Sequence, residues 1–411
     1  MIPVSAPVSE RVRIVVFGRR NAGKSALVNA LANQPVSIVS PVACTTADPV
    51  AKSVEWLPLG PCLVVDTAGI DDTEQRGGVE IGLARASRAI GEMRGADVAI
   101  VVTDASTGIS RSEREILAAA AARPSPPQVF VAVNRIDETP ATAERLEAVS
   151  RDAGGAPAFA VCATTGEGVD ALRRAVAHSP RPAAREKPIF GGRLKPGDTV
   201  VLVCPIDEAA PKGRLILPQQ LALREALDSH ASALVLQPEQ LPGALARMKE
   251  PPALVVTDSQ AFSRVRRCVP PEVPLTSFSI LLARRSADWE TLRAGAEKID
   301  ALKDGDPVLV ADWCSHRPHC GDIGTEKLPR LISARTGKKL VFEPTSGRAW
   351  PTVERLRAYA LVLHCGGCMT APAELASRVA DCRAAGVPVA NYGVALALLQ
   401  GVSLRSIDQV Q

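Results

Sequence analysis

The sequence predicts an α/β chain of three domains, each a mainly parallel sheet with flanking helices, and three observations lead to that fold class. Residues 11–17 (Arg-Val-Arg-Ile-Val-Val-Phe) form an apolar run that passes through a glycine loop into a helical pattern at Ala26–Leu31. Between residues 199 and 257, short β-branched runs alternate with helical spacing, the signature of a parallel sheet covered by helices. Near the far end, Val308–Ala311 and Tyr359–Leu363 read as buried parallel strands, each followed at once by soft ligand residues. The expected boundaries are 1–180 for the first domain, 181–198 for a linker, 199–272 for the second domain and 273–411 for the third.

With 411 residues, 46% of them hydrophobic and 22% charged, the chain can bury a separate core in each domain. It contains no run of 18 or more apolar residues, and its first loop motif begins at Gly18, so no membrane span and no cleaved signal are expected. The expected compartment is the cytoplasm. There, ten cysteines are better read as metal ligands where they cluster than as a disulfide framework. Single ones (Cys44, Cys62, Cys162, Cys204, Cys268, Cys382) are expected to be inert packing. A formal charge of +4 with no Lys/Arg tract argues against a nucleic-acid partner.

The first domain carries a phosphate-binding loop. Gly18-Arg-Arg-Asn21-Ala-Gly23-Lys24-Ser25 fits G-x-x-x-x-G-K-[ST] between a strand and a helix, so successive backbone N–H groups and the helix N-terminus at Ala26 face the phosphates. Lys24 is placed to reach the β/γ-phosphates and Ser25 to hold Mg²⁺. Leu63-Val-Val-Asp66-Thr-Ala-Gly69 ends a strand with an acid for a water-mediated Mg²⁺ contact and a glycine amide for the γ-phosphate. Phe130-Val-Ala-Val-Asn134-Arg135-Ile-Asp137 ends another, and Asp137 can accept both guanine N–H donors. Ala160-Val-Cys162-Ala163-Thr-Thr-Gly166 is a small-residue loop suited to the base oxygen. Four such strings in this order at strand ends imply GTP or GDP.

Over about residues 10–178 the chain resembles the TrmE/Era-type GTPases. That resemblance implies slow, potassium-stimulated GTP hydrolysis, with Asn21 helping to bind the K⁺ ion and Thr46, in the switch I slot, making a second Mg²⁺ contact. Lys24, Asn21, Thr46 and Gly69 are its implied catalytic set. Position 67 is Thr where Ras-like enzymes have Gln. Cys44, Arg135 and Cys162 stand where the family usually has Gly, Lys and Ser.

Beyond the Pro-rich linker at Ser179–Pro188, strands are expected at Thr199–Cys204, Ala233–Leu236 and Ala253–Thr257, with helices at Pro218–Asp228 and Gln240–Met248. Leu215-Ile-Leu217 is either an intrachain strand or an apolar loop buried against another subunit. Asp207, Glu208 and His230 are isolated and read as solvated or capping residues.

In the third domain, Cys314-Ser-His316 is followed after 47 residues by His364-Cys365-Gly-Gly-Cys368. Three thiols and two imidazoles suit an iron–sulfur cluster or a zinc ion. Groups just past the carboxyl ends of parallel strands converge in one crevice, which brings Cys314 toward Cys365 and Cys368. His316 and His364 are candidates for a fourth ligand, or else donors that orient the thiolates. His319 and Cys320 are alternatives that Pro318 turns away. One reading is therefore a GTPase with a structural zinc site that acts on RNA or the ribosome.

With these spacings behind a TrmE-like domain, the chain resembles the HydF family, the GTPases that mature iron-only (FeFe) hydrogenase. The resemblance implies a GTPase domain, a dimerisation domain and a cluster-binding domain in that order. It implies a homodimer with a 4Fe-4S cluster on Cys314, Cys365 and Cys368 and an open fourth position. It further implies a scaffold that receives a diiron precursor from two radical-SAM maturases and passes it to apo FeFe-hydrogenase.

Overall fold

The computed structural model describes residues 10–32, 40–41, 51–67, 69, 91–123, 126–180, 188–206, 215–259, 261–286, 288–312, 322–347, 349–366 and 371–400. The chain forms two compact units, residues 1–183 with 370–377, and residues 184–369 with 378–411.

In the first unit, β1 (Val12–Gly18), β2 (Ser40–Pro41), β3 (Ala51–Trp56), β4 (Gly60–Asp66), β5 (Val98–Asp104), β6 (Gln128–Asn134) and β7 (Ala158–Ala160) form one sheet in the order β2-β3-β4-β1-β5-β6-β7. The β2–β3 and β3–β4 pairs are antiparallel and the rest parallel. β1 is apolar without alternation because both its faces are covered. Ile14 and Val16 pack in one core with Leu27 and Leu31 of α1 (Lys24–Ala32), while Val15 and Phe17 pack in another with Ile116 of α2 (Arg111–Ala121). α3 (Ala143–Asp152) and α4 (Val169–Ala177) complete the cover.

The second unit contains two four-stranded parallel sheets. β8 (Thr199–Val203), β9 (Ser232–Leu236), β10 (Leu254–Thr257) and β11 (Leu275–Ser277) lie in the order β11-β10-β8-β9. Between and after these strands run α5 (Leu217–Asp228), α6 (Leu241–Leu245), α7 (Phe262–Arg266), α8 (Phe278–Ser286) and α9 (Trp289–Glu297). β12 (Pro307–Asp312), β13 (Val341–Ser346), β14 (Leu361–His364) and β15 (Val389–Asn391) lie in the order β15-β14-β12-β13, with α10 (Leu328–Thr336), α11 (Val353–Leu356), α12 (Pro372–Ala385) and α13 (Tyr392–Leu399). All pairs within both sheets are parallel, so the predicted fold class holds.

The two sheets are built on one plan. In each, the first strand is central, the second lies on one side of it, and the third and fourth lie on the other. The turns that lead into the first strands match: Lys195 N donates to Asp198 Oδ2 and Lys303 N to Asp306 Oδ2, both at 2.8 Å, around Gly197 and Gly305 at φ +90° and +83°. The helix after each first strand begins Leu-Pro, at Leu217-Pro218 and Leu328-Pro329. Each fourth strand ends in a residue whose side chain accepts from the next helix, Ser277 from Ile280 N and Asn391 from Gly393 N. By register Val203 pairs with Thr257 as Ala311 pairs with His364.

Two expected elements differ. Leu215-Ile-Leu217 is not a strand: residues 215 and 216 are extended and Leu217 opens α5, half-buried, with Leu215 packed on the second domain's own core. The helix expected over Gln240–Met248 shrinks to a 3₁₀ turn at Pro238–Gln240 and the five residues of α6, because Pro242 and Gly243 fall inside it.

Candidate functional site

The nucleotide loop bridges β1 and α1. Its glycines are dictated by closeness: a Cβ on Gly23 (φ +92°) would fall 2.2 Å from Asn134 Nδ2, and one on Gly69 would fall 2.7 Å from the Arg20 Cα. Lys24 is buried and its Nζ donates to the Arg19 carbonyl at 2.7 Å, which holds the ammonium inside the loop where phosphate oxygens would lie. Ser25 Oγ donates to Asp66 Oδ2 at 2.5 Å, so the two predicted Mg²⁺-side residues meet. Asp66 Oδ1 is buried with no hydrogen-bond partner among the described residues. An orphaned carboxylate oxygen beside a hydroxyl fits the water shell of a Mg²⁺ ion. Ala26 lies half-buried against the α1 core, with its backbone in the first turn.

Asn134 ties the loops together. Its Nδ2 donates to the Ala22 carbonyl at 2.8 Å and its Oδ1 accepts from Ala163 N at 2.9 Å, so the phosphate loop and the base loop are fixed to one side chain. Arg135, at φ +67°, donates from Nη2 to the Asn21 carbonyl at 2.8 Å and sits 3.5 Å from Asp104 Oδ2. Burial raises the Asp104 pKa, but hydrogen bonds from Ser106 and the Arg135 charge outweigh it and hold the carboxyl below its ordinary range. The arginine thus supplies the tether that its position requires. Asp137 is exposed, open to a base. Cys162 is buried and its sulfur accepts from Thr165 N at 3.5 Å, which closes the base loop much as a serine hydroxyl would. Thr67 turns its hydroxyl into the sheet, donating to the Val16 carbonyl at 2.7 Å, and so cannot orient a water. Thr46 and Cys44 lie outside the described residues.

A residue not singled out from the sequence completes this site. Glu113, fully buried, accepts from Arg19 N at 3.4 Å and from Ser110 N at 2.8 Å, anchoring the phosphate loop to the start of α2. Ser110-Arg-Ser-Glu113 is a capping box, a pattern that was legible.

In the second unit, β12 and β14 are neighbours at Ala311↔His364, and Cys365 N donates to the Ala311 carbonyl at 2.9 Å. The segments leaving both strand ends therefore start side by side, at the point where the strand order reverses. Cys365 is a free, half-buried thiol, and a Cβ on the next residue, Gly366, would meet open space. Cys314, His316, His319, Cys320 and Cys368 lie outside the described residues. Among the described residues no group of three His, Cys, Asp or Glu could hold a metal by itself. A soft thiol at a strand end, beside open space and next to the segment that carries Cys314, fits a thiolate-bound group.

His364 is 1% exposed. Its Nδ1 lies 2.8 Å from the Cys365 carbonyl and its Nε2 3.3 Å from Arg378 Nη1; burial, then the Arg378 charge, push its pKa down to about 4. Asp312 and Tyr392 also converge here, since a Cβ on Gly324 would lie 2.6 Å from Asp312 Oδ2 and 2.5 Å from the Tyr392 hydroxyl. Burial raises both pKa values. By contrast Cys204 and Cys382 are buried thiols pushed up to about 12 by burial, which makes them inert packing.

Two family models described as Hydrogen maturase F cover the second unit: the tetramerization domain over residues 290–409 and the dimerization domain over residues 189–287. A third, 50S ribosome-binding GTPase, covers residues 13–135. The chain belongs to the HydF family. Its N-terminal part is a GTPase domain, joined to the two HydF domains, which support self-association. That GTPase domain is also similar to tRNA modification GTPase MnmE of Symbiobacterium thermophilum (strain DSM 24528), 41% identical over 176 residues, which are 41% of this chain and 35% of that one. MnmE of Burkholderia mallei (strain SAVP1) is 39% identical over 176 residues, 41% of this chain and 34% of that one. The chain thus spans about a third of the length of these relatives. Among solved structures, Era in complex with MgGDPNP and nucleotides 1506–1542 of 16S ribosomal RNA is 20% identical with a TM-score of 0.32, covering 55% of this chain and 92% of that one. The G domain of the T. maritima FeoB iron transporter is 21% identical with a TM-score of 0.29, covering 40% and 95%.

Proposed function

We propose that this HydF-family chain is a slow, potassium-stimulated GTPase switch joined to an iron–sulfur scaffold that delivers a diiron precursor to apo FeFe-hydrogenase. The observation that carries the reading is the pairing of β12 with β14 under the HydF tetramerization match, which makes the Cys314 segment and Cys365 start from adjacent strand ends. Cys314, Cys365 and Cys368 are the proposed anchors of a 4Fe-4S cluster, and His316 is a candidate for the fourth position. Such a cluster, when bound, supplies an exchangeable iron coordination site. The protein's part is to hold it by three thiolates at a sheet edge, with Gly366 leaving room beside Cys365.

In the GTPase domain, Lys24 meets the β/γ-phosphates, Ser25, Asp66 and Thr46 complete the Mg²⁺ shell, the Gly69 amide senses the γ-phosphate and Asn21 helps to bind K⁺. Hydrolysis acts as a switch on contacts and partner release rather than on bond making at the cluster. The proposed partners are two radical-SAM maturases and apo FeFe-hydrogenase, in the cytoplasm, with no nucleic acid. No helix among the described residues is long and apolar enough to cross a membrane. A transfer assay tests the reading. Protein purified after co-expression with the two maturases should restore hydrogen evolution to apo-hydrogenase, and protein expressed without them should not; equal failure of both preparations would count against the carrier role.

The oligomer proposed is a homodimer through β9. This edge strand leaves Leu234 and Val235 38% and 40% exposed on opposite faces, and its sequence Ser-Ala-Leu-Val-Leu has neither proline nor charge. The edge strand β13 is guarded by Glu343 and Pro344. A second copy adding strand to strand would cover β9. Light scattering of wild type should give twice 43.2 kDa, and Val235→Lys, an exposed position, should give a folded monomer. A dimer that persists in Val235→Lys places the interface elsewhere.

A further inference from the structure

Arg378, on α12, is 1% exposed, and its guanidinium joins groups from several segments at the carboxyl edge of the third sheet. Nη1 lies 3.3 Å from His364 Nε2, Nη2 donates to the Gly347 carbonyl at 2.9 Å, and the Cζ sits 4.8 Å over the Trp350 ring. Trp350 Nε1 in turn donates to Asp381 at 3.0 Å, one turn along the same helix. On the other side of the imidazole, His364 Nδ1 is 2.8 Å from the Cys365 carbonyl. A carbonyl can only accept, so Nδ1 carries the ring proton and Nε2 holds the lone pair. That lone pair faces a guanidinium that does not deprotonate in proteins.

We propose that Arg378 is a positioning residue that withholds His364 from coordination, so that the thiolate site keeps an exchangeable fourth position and resists closure by zinc. The inference rests on the cluster reading above. A metal ion bound at Nε2 would stand about 2.0–2.1 Å from it, in the space the Arg378 N–H occupies, and would face a like charge there. Turning the ring away would break the bond to the Cys365 carbonyl and strip a buried guanidinium of a partner, each a cost of about 1–3 kcal/mol. The Trp350 ring, 6.0 Å from the imidazole, packs against that rotation. His364 thus orients Cys365 through its carbonyl and leaves coordination to other groups.

Arg378→Met keeps an apolar stem beside Trp350 and removes the donor. The apo variant should bind Zn²⁺ about 10-fold or more tighter than wild type, since a freed imidazole adds a fourth ligand to three thiolates. That gain should vanish in Arg378→Met/His364→Gln, because Gln can keep the hydrogen bonds but offers no imidazole. Arg378→Lys, which still presents a cation to Nε2, should bind zinc like wild type. In reconstituted protein, pulsed electron paramagnetic resonance should show a histidine nitrogen coupling in Arg378→Met that is lost in the double variant. Failure of a folded Arg378→Met to gain zinc affinity or nitrogen coupling overturns the proposal. If that variant does not fold, wild type and His364→Gln decide instead: equal nitrogen couplings support the proposal and a His364-dependent coupling in wild type overturns it. If wild type takes up no iron–sulfur cluster at all, the scaffold reading fails, while the zinc comparison still tests Arg378.

Discussion

Lys24→Ala protein hydrolyses GTP on the order of 10²–10³-fold more slowly than wild type, the scale of losing one preorganised charge on a developing phosphoryl transition state. The ammonium is buried in the loop, 2.7 Å from the Arg19 carbonyl, so nothing reorganises when the phosphates arrive. No neighbouring cation is placed to substitute, because Arg19 is drawn off by Glu113 and Thr107. Removing the side chain leaves the loop's backbone ties through Asn134 intact, so a thermal melt should fall by only a few degrees. Steady-state phosphate release checks the rate, and circular dichroism checks the fold. Turnover within a few-fold of wild type would remove Lys24 from the catalytic set.

Loss of any one thiol of the cluster set is the second large effect. Cys314→Ser, Cys365→Ser and Cys368→Ser each should reduce reconstituted iron and sulfide to a small fraction of wild type. A three-thiolate site has no spare anchor, and the other described thiols in the second unit are of no help. Cys204 and Cys382 are buried with their pKa pushed up to about 12, so they remain protonated and unreactive. GTP turnover should be unchanged in all three, since the nucleotide contacts fall within residues 18–166. Iron and acid-labile sulfide assays beside GTPase rates check both halves. A Cys365→Ser protein with a full 4Fe-4S spectrum would displace the anchor nearest the described strand end.

The nucleotide site was legible because each of its parts is local: a loop motif between an apolar strand and a helix, and short strings at the ends of β4 and β6. The neighbouring strand ends at Ala311 and His364 were legible for the same reason, since apolar runs followed at once by polar residues locate the carboxyl edge of a parallel sheet. The common plan of the second and third sheets was missed. It is written in geometry more than in residue identity, and only the Gly-Asp turn at 197–198 and 305–306 and the Leu-Pro helix starts mark it in sequence. Arg378 was equally hidden. An arginine on a helix is ordinarily at the surface, and nothing local shows that Trp350 and His364, 28 and 14 positions earlier, close over it. Leu215–Leu217 misled because apolar character says that a segment is buried, not what conformation it takes there.

The most direct test of the central claim is anaerobic reconstitution of the full chain with iron and sulfide, followed by metal analysis and electron paramagnetic resonance of the dithionite-reduced protein. The account predicts four irons and four sulfides per chain, a spin-half 4Fe-4S signal, and a shift of that signal when exogenous imidazole enters the open position. Stoichiometric zinc that reconstitution cannot displace, with no cluster signal, would contradict it and leave a GTPase with a zinc-structured domain.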